Sequence, residues 1–177
     1  MTSIHAPEVL ISEVGPRDGL QSVKATMPTA DKLRWISALH AAGLREIEVG
    51  SFVPARLLPQ LADTAELVAV ARTLPGLTTS VLVPNLKGAE RAMDSAADWM
   101  LLPLSASHAH SMANLRRTPD DVLSEIAAIV ETRATRGSNI RIEVGISTAL
   151  GCTLQGKVQV AEVLRLLAAV VDLGVED

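Results

Sequence analysis

Short apolar stretches alternate with helical patterns along the chain, and this alternation restricts the fold more than any other feature of the sequence. Candidate strands fall at Val9 to Val14, Arg45 to Val49, Thr78 to Val83, Asp98 to Leu102 and Ile140 to Ile146. Each is short and mostly apolar, as a strand covered on both faces must be. Helical patterns lie near Thr29 to Ala42, Asp63 to Thr73, Leu86 to Ala96, Pro119 to Arg136 and Val160 to Leu173. Thr118 is placed to cap the fourth helix, Pro119 suits its first turn, and Val122, Ile126, Ile129 and Val130 share one face. In the fifth, Val160, Leu164, Leu167 and Val171 recur at helical spacing and predict a stripe packed against the sheet. The order strand, helix, strand predicts an α/β fold of βα units with a parallel sheet, in one domain over residues 1–177.

Charge and composition remove several function classes. The net charge is −4 and the basic residues are scattered singly, so no stripe exists for a nucleic-acid backbone or an anionic membrane. The apolar runs fall short of the roughly 20 residues of a membrane helix. The first seven residues run almost directly into the first strand, which leaves no room for a signal or transit peptide. One cysteine excludes an internal disulfide and fits a reducing cytoplasm.

The chemistry is concentrated in Glu13-Val14-Gly15-Pro16-Arg17-Asp18-Gly19-Leu20-Gln21. Gly15-Pro16 stops the first strand, so Arg17 and Asp18 fall in the loop at its carboxyl end, where parallel α/β folds place their sites. Asp18 is a hard oxygen ligand suited to Mg²⁺ or Mn²⁺. Arg17, always charged and fork-shaped, suits an oxygen on which negative charge develops. Pro-Arg-Asp-Gly is also good turn chemistry, and a surface ion pair in a turn fits the same four residues. In Glu46-Ile47-Glu48-Val49 two carboxylates share one side of a strand. A carboxylate facing a barrel interior needs a partner, and Arg17 is the obvious one for Glu48 if the first two strands are neighbours. A solvated carboxylate at a strand end is the alternative. Glu46 belongs nearer the start of the strand, in a structural role.

The nonapeptide resembles the signature of the 3-hydroxy-3-methylglutaryl-CoA lyase family, part of a metal-dependent lyase, aldolase and synthase group built on a TIM barrel. The resemblance continues through Glu46 to Pro54, Val83 to Gly88, Ser105-Ala106-Ser107 with Asn114, and Ser147 to Cys152, in the family's order. Gly15-Pro16 before the Arg-Asp pair and Leu20-Gln21 after it favour the lyase branch. The resemblance implies a parallel TIM barrel of which about five of eight units are present, a closed barrel taking about 250 residues. Gly174-Val175-Glu176-Asp177 then reads as the lead into a sixth strand, and two open sheet edges predict association into a homo-oligomer.

The implied reaction is metal-assisted cleavage of 3-hydroxy-3-methylglutaryl-CoA, or a close 3-hydroxyacyl-CoA, to acetyl-CoA and acetoacetate. Arg17 and Glu48 are its implied catalytic residues, Asp18 its metal ligand, and Gln21, Asn114, Ser107 and Cys152 its substrate contacts, with Thr148 a weaker one. Lys87, at the opening of a helix, is either a contact for a CoA phosphate or a solvated lysine. His108-Ala109-His110 has metal-ligand spacing if on a strand, but it follows the fourth strand, in a loop, whereas the family's His-x-His lies on the seventh. Cys152 matches a site wall rather than the family's mobile catalytic cysteine, and a small buried thiol also fits. Asp18 is therefore the one matched metal ligand, and the 177-residue chain is expected to lack appreciable lyase activity by itself. A related aldolase or acyl-CoA synthase, or a non-catalytic half-barrel interaction module, are the alternatives.

Overall fold

The computed structural model describes residues 9–175. The start of the chain, read as too short for a leader, and Glu176-Asp177 of the expected lead into a sixth strand lie outside the described residues. Five strands form one all-parallel sheet in chain order: β1 (Ser12–Glu13), β2 (Glu46–Ser51), β3 (Thr78–Leu82), β4 (Trp99–Ser105) and β5 (Arg141–Ser147). Six α-helices connect or follow them: α1 (Thr29–Ala41), α2 (Thr64–Ala71), α3 (Leu86–Ser95), α4 (His108–Leu115), α5 (Pro119–Thr135) and α6 (Val160–Asp172). Sequential order without reversal is the winding of a (β/α) barrel, in which one face of the sheet carries helices and the other turns inward.

Burial along the strands separates these faces. Met100, Leu102 and Leu104 of β4 and Ile142 of β5 are buried under the helices with Val122, Ile126, Ile129 and Leu166. The alternate residues Leu101, Pro103, Glu143, Gly145 and Ser147 are less covered and line the inner face. α5 begins with the predicted cap: Thr118 Oγ1 accepts from the Asp121 amide while the Asp121 carboxylate accepts from the Thr118 amide.

Three expectations need correction. The apolar run from Val9 to Val14 yields only a two-residue strand, and Val9, Leu10, Ile11 and Val14 are exposed. This segment has a sheet partner on one side only, β2, so its side chains are not enclosed as those of an inner strand are. In α6 the predicted stripe of Val160, Leu164, Leu167 and Val171 is exposed, and Leu166 and Val170 are the buried residues instead. α6 lies at the β5 end of the sheet and buries only its β5-facing side; the apolar stripe points away from it. The His108-Ala109-His110 segment is the first turn of α4, not a loop, because Ser107 caps it by accepting the His110 amide. Helical spacing aims two residues separated by one position to different sides, which removes the paired-imidazole reading.

Candidate active site

The site is built from the carboxyl ends of β1 and β2. After β1 the chain winds into one π-helical turn, Gly15–Gly19, in which the Arg17 and Asp18 amides both donate to the Val14 carbonyl, at 3.1 and 2.7 Å. Such single turns recur at functional sites because they aim side chains that a regular turn would not. Gly15 leaves room for two neighbours: a Cβ would lie 2.8 Å from Glu13 Oε1, which accepts the Gly15 amide at 2.6 Å, and 3.0 Å from the Trp35 ring, so either would have to shift. In β2 the register against β3 shifts between Glu48 and Gly50, and bulges of this kind re-aim side chains beside active sites. Gly50 sits in that irregularity because a Cβ would lie 2.3 Å from Thr64 Oγ1. That hydroxyl accepts the Ser51 amide at 3.0 Å and fixes the end of the strand.

These two devices bring Arg17, Asp18 and Glu48 together. Arg17 Nη2 lies 2.8 Å from Glu48 Oε2 and Nη1 lies 2.8 Å from Asp18 Oδ1, so one guanidinium spans both acids. The Glu48 side chain is 1% exposed, Arg17 15% and Asp18 60%, a gradient from the sheet interior to the mouth. Burial raises the Glu48 ionisation above the ordinary carboxylate range; Arg17 opposes this, and the charges of Asp18 and Glu143 add to it. Buried and without a hydrogen-bond partner are Arg17 Nε and Glu48 Oε1 of this pair, and Gln21 Oε1 just after the turn. Orphaned polar atoms this dense are costly unless a ligand or solvent completes them.

A buried clamp supports the turn. Lys32 of α1 pairs with Asp63 at 2.7 Å and also donates to the Gln60 backbone carbonyl, while the Gln60 side-chain Nε2 donates to the Val23 carbonyl at 2.7 Å. The segments after β1 and β2 are thereby tied to each other and to α1. Nothing in the sequence alone singled out Lys32, since a buried lysine is rare unless paired.

The other expected contacts divide. Gln21 follows the Arg17 turn, half-buried, with its Oε1 covered and unpartnered. Ser107 and Cys152 lie at the ends of β4 and β5 instead: Ser107 is fully buried, with its hydroxyl donating to Gln155 and accepting the His110 amide. Cys152 is partly exposed, and its sulfur accepts the Leu154 amide. Its thiol is held below the ordinary thiol range by the Ser107 hydroxyl, against desolvation, with help from the amides of Leu154, Gln155 and His110. Thr148 binds the Ser107 amide through Oγ1 and adopts φ +60°, a left-handed conformation unusual for a β-branched residue. Asn114 and Lys87 are exposed on α4 and α3. Missed by sequence reasoning is a chain at the same rim: Ser105 Oγ lies 2.7 Å from His110 Nδ1 and 3.1 Å from Ser147 Oγ.

The residues fit a divalent cation poorly. Among those described, no group of three His, Cys, Asp or Glu side chains could hold a metal, and Asp18 by itself offers too few ligands. No helix among the described residues is long and apolar enough to cross a membrane.

Parallel βα units in sequential order, with a part-buried guanidinium and a buried carboxylate at the strand ends, define a scaffold of the (β/α) barrel class. Residues 8–177 match the family model described as HMGL-like, and the chain belongs to that family. The 3-hydroxy-3-isohexenylglutaryl-CoA/hydroxy-methylglutaryl-CoA lyase of Pseudomonas aeruginosa is 43% identical over 163 residues, 90% of this chain and 54% of that protein. The mitochondrial hydroxymethylglutaryl-CoA lyase of Macaca fascicularis is 36% identical over 94% of this chain and 51% of its own length. Among solved structures, a hydroxymethylglutaryl-CoA lyase from Pseudomonas aeruginosa superposes with a TM-score of 0.88 at 38% identity, over 96% of this chain and 56% of that one. An HMG-CoA lyase from Acinetobacter baumannii, in complex with coenzyme A and 3-methylmalate, gives 0.86 at 34% identity over 94% of this chain and 53% of that one. The chain spans about half the length of the relatives it matches, and its five parallel strands form a curled half-barrel.

Proposed function

We propose that this chain supplies the catalytic guanidinium of a carbon–carbon lyase that cleaves 3-hydroxy-3-methylglutaryl-CoA, or a close 3-hydroxyacyl-CoA, to acetyl-CoA and a 3-oxo acid. For the first substrate that acid is acetoacetate. The observation that carries this reading is the Arg17–Glu48 pair, 2.8 Å apart at the strand ends with orphaned polar atoms beside it. The names of the relatives support the substrate class.

In the reaction the 3-hydroxyl loses its proton, the bond between C2 and C3 breaks, and its electron pair moves onto the thioester as an enolate. C3 becomes the carbonyl of the oxo acid, and protonation of the enolate carbon gives acetyl-CoA. Arg17 donates to the thioester oxygen, and its interaction strengthens as that oxygen becomes anionic, so it lowers the barrier more than it aids binding. Glu48, held on a bulged inner strand, orients Arg17 through Nη2. Gln21 orients the substrate hydroxyl or carboxylate through its amide. Asp18 would offer one oxygen ligand to an Mg²⁺ or Mn²⁺ ion, which would polarise the substrate oxygens, and the other ligands would have to come from outside the described residues. Asn114, Ser107 and Cys152 shape the opposite rim, Ser107 through the loop it holds and not through a free hydroxyl.

Exposed apolar residues on α6 and before β1 support self-association, and we place the protein in the cytoplasm, acting on an acyl-CoA and on no nucleic acid or membrane. The test is a coupled assay of acetoacetate release. The 177-residue chain by itself gives no appreciable turnover, whereas a chimera carrying the remaining units of the Pseudomonas aeruginosa relative does. A folded chimera with no product refutes the reading.

A further inference from the structure

The chain of hydrogen bonds from His110 to Ser147 has no part in the mechanism above, and its placement gives it one. Ser105 and Ser147 are register partners at the last position of β4 and β5. Ser147 shares a strand face with Glu143, four residues back, whose charge reaches Glu48. The Ser147 hydroxyl therefore stands on the inner face at the mouth, opposite the Arg17 turn, and Ser147 is exposed. Ser105 is 2% exposed and connects it to His110, whose ring is fixed by the first turn of α4. The strained Thr148, whose hydroxyl donates to the Ser147 carbonyl at 2.6 Å, holds the end of β5 in place.

Two directions of this chain are possible. With Nδ1 bare, Ser105 donates to the imidazole, Ser147 donates to Ser105, and only lone pairs of Ser147 face the mouth. With a proton on Nδ1, the ring donates to Ser105, Ser105 donates to Ser147, and the Ser147 proton is released. Its remaining protein acceptor is the Leu104 carbonyl, at a long 3.4 Å.

We infer that Ser147 is a specificity-determining contact that donates to the free carboxylate of the bound 3-hydroxyacyl thioester, and that His110, acting through Ser105, is the positioning residue that sets this direction. The inference rests on the lyase reading and names the residue that distinguishes an acid-terminated acyl chain from a neutral one. An ionised carboxylate only accepts, so its binding selects the Nδ1-protonated arrangement. Arg17 at one side of the mouth then takes the thioester oxygen, and Ser147 at the other takes the carboxylate.

The experiment is two-bond ¹H–¹⁵N spectroscopy of the ¹⁵N-histidine-labelled chain, with His5→Gln, His40→Gln and His108→Gln for assignment, titrated with free 3-hydroxy-3-methylglutarate. Ser147→Ala shifts the His110 ring nitrogens although the two side chains do not touch. The acid drives His110 Nδ1 toward the protonated form, Ser147→Ala weakens its binding about tenfold, and Ser147→Thr restores both effects. If the acid moves the amides of Arg17 to Gly19 while His110 stays unchanged, or if His110 answers equally in Ser147→Ala, the inference falls and the lyase reading stands. If neither region responds, both fall.

Discussion

Replacing Arg17 by Met isolates the electrostatics of the site. The variant keeps most of the side-chain volume but leaves Glu48 buried at 1% exposure without its cation. Removing one partner of a buried pair costs about 3–5 kcal/mol, because the remaining charge is uncompensated. The lost contact to Asp18, which is 60% exposed, adds at most about 1 kcal/mol. The penalty depends on pH with a definite sign. A carboxyl whose folded-state ionisation is raised above its ordinary value of 4.5 contributes stability that is whole below that value and lost as pH rises through the raised one. Without Arg17 the upward shift grows, so the variant is most destabilised at the highest pH and recovers toward wild type as pH falls and Glu48 takes up its proton. Urea unfolding followed by circular dichroism at pH 5, 6 and 7.5 measures this. A loss below about 1 kcal/mol at pH 7.5, or one that does not change with pH, refutes the buried-pair account.

Gly50→Ala drives a methyl into Thr64 Oγ1 and lowers stability by about 3 kcal/mol in thermal unfolding, whereas in a Thr64→Ala background, which removes Oγ1 and Cγ2, the same substitution costs less. Leu166→Ala costs about 2–5 kcal/mol, while Leu164→Ala changes stability by less than about 0.5 kcal/mol; equal effects contradict the orientation of α6. Iodoacetamide alkylation of Cys152, followed by mass spectrometry against pH, has its midpoint below that of a free cysteine, and Ser107→Ala moves the midpoint up.

The inner part of the fold was legible because β2 to β4 follow one rule: a strand largely covered on both faces reads as an apolar run. The same rule misled at both flanks. Val9 to Ile11 and the Val160–Val171 stripe carry the composition of packed residues, yet their neighbours in the sheet end there, and pattern cannot report what lies beside an element. The Arg17–Asp18–Glu48 convergence was readable because guanidinium and carboxylates have few stable arrangements at adjacent strand ends. Lys32 with Asp63 and the Ser147–Ser105–His110 chain were not, since both join residues about 30 to 40 positions apart through contacts that depend on exact register. His110 was further obscured because the Ser107 cap, which turns its segment into helix, resembles any other serine until the fold sets its partner.

The central claim is that Arg17 stabilises charge formed in the reaction and is oriented for it by Glu48. Steady-state kinetics of the completed chimera on 3-hydroxy-3-methylglutaryl-CoA test it most directly, comparing wild type with Arg17→Met and Glu48→Gln. The account predicts a kcat loss of about 10² to 10³ for Arg17→Met, a smaller kcat loss for Glu48→Gln, and little change in KM for either. An Arg17→Met enzyme that keeps its kcat and loses only KM would contradict it.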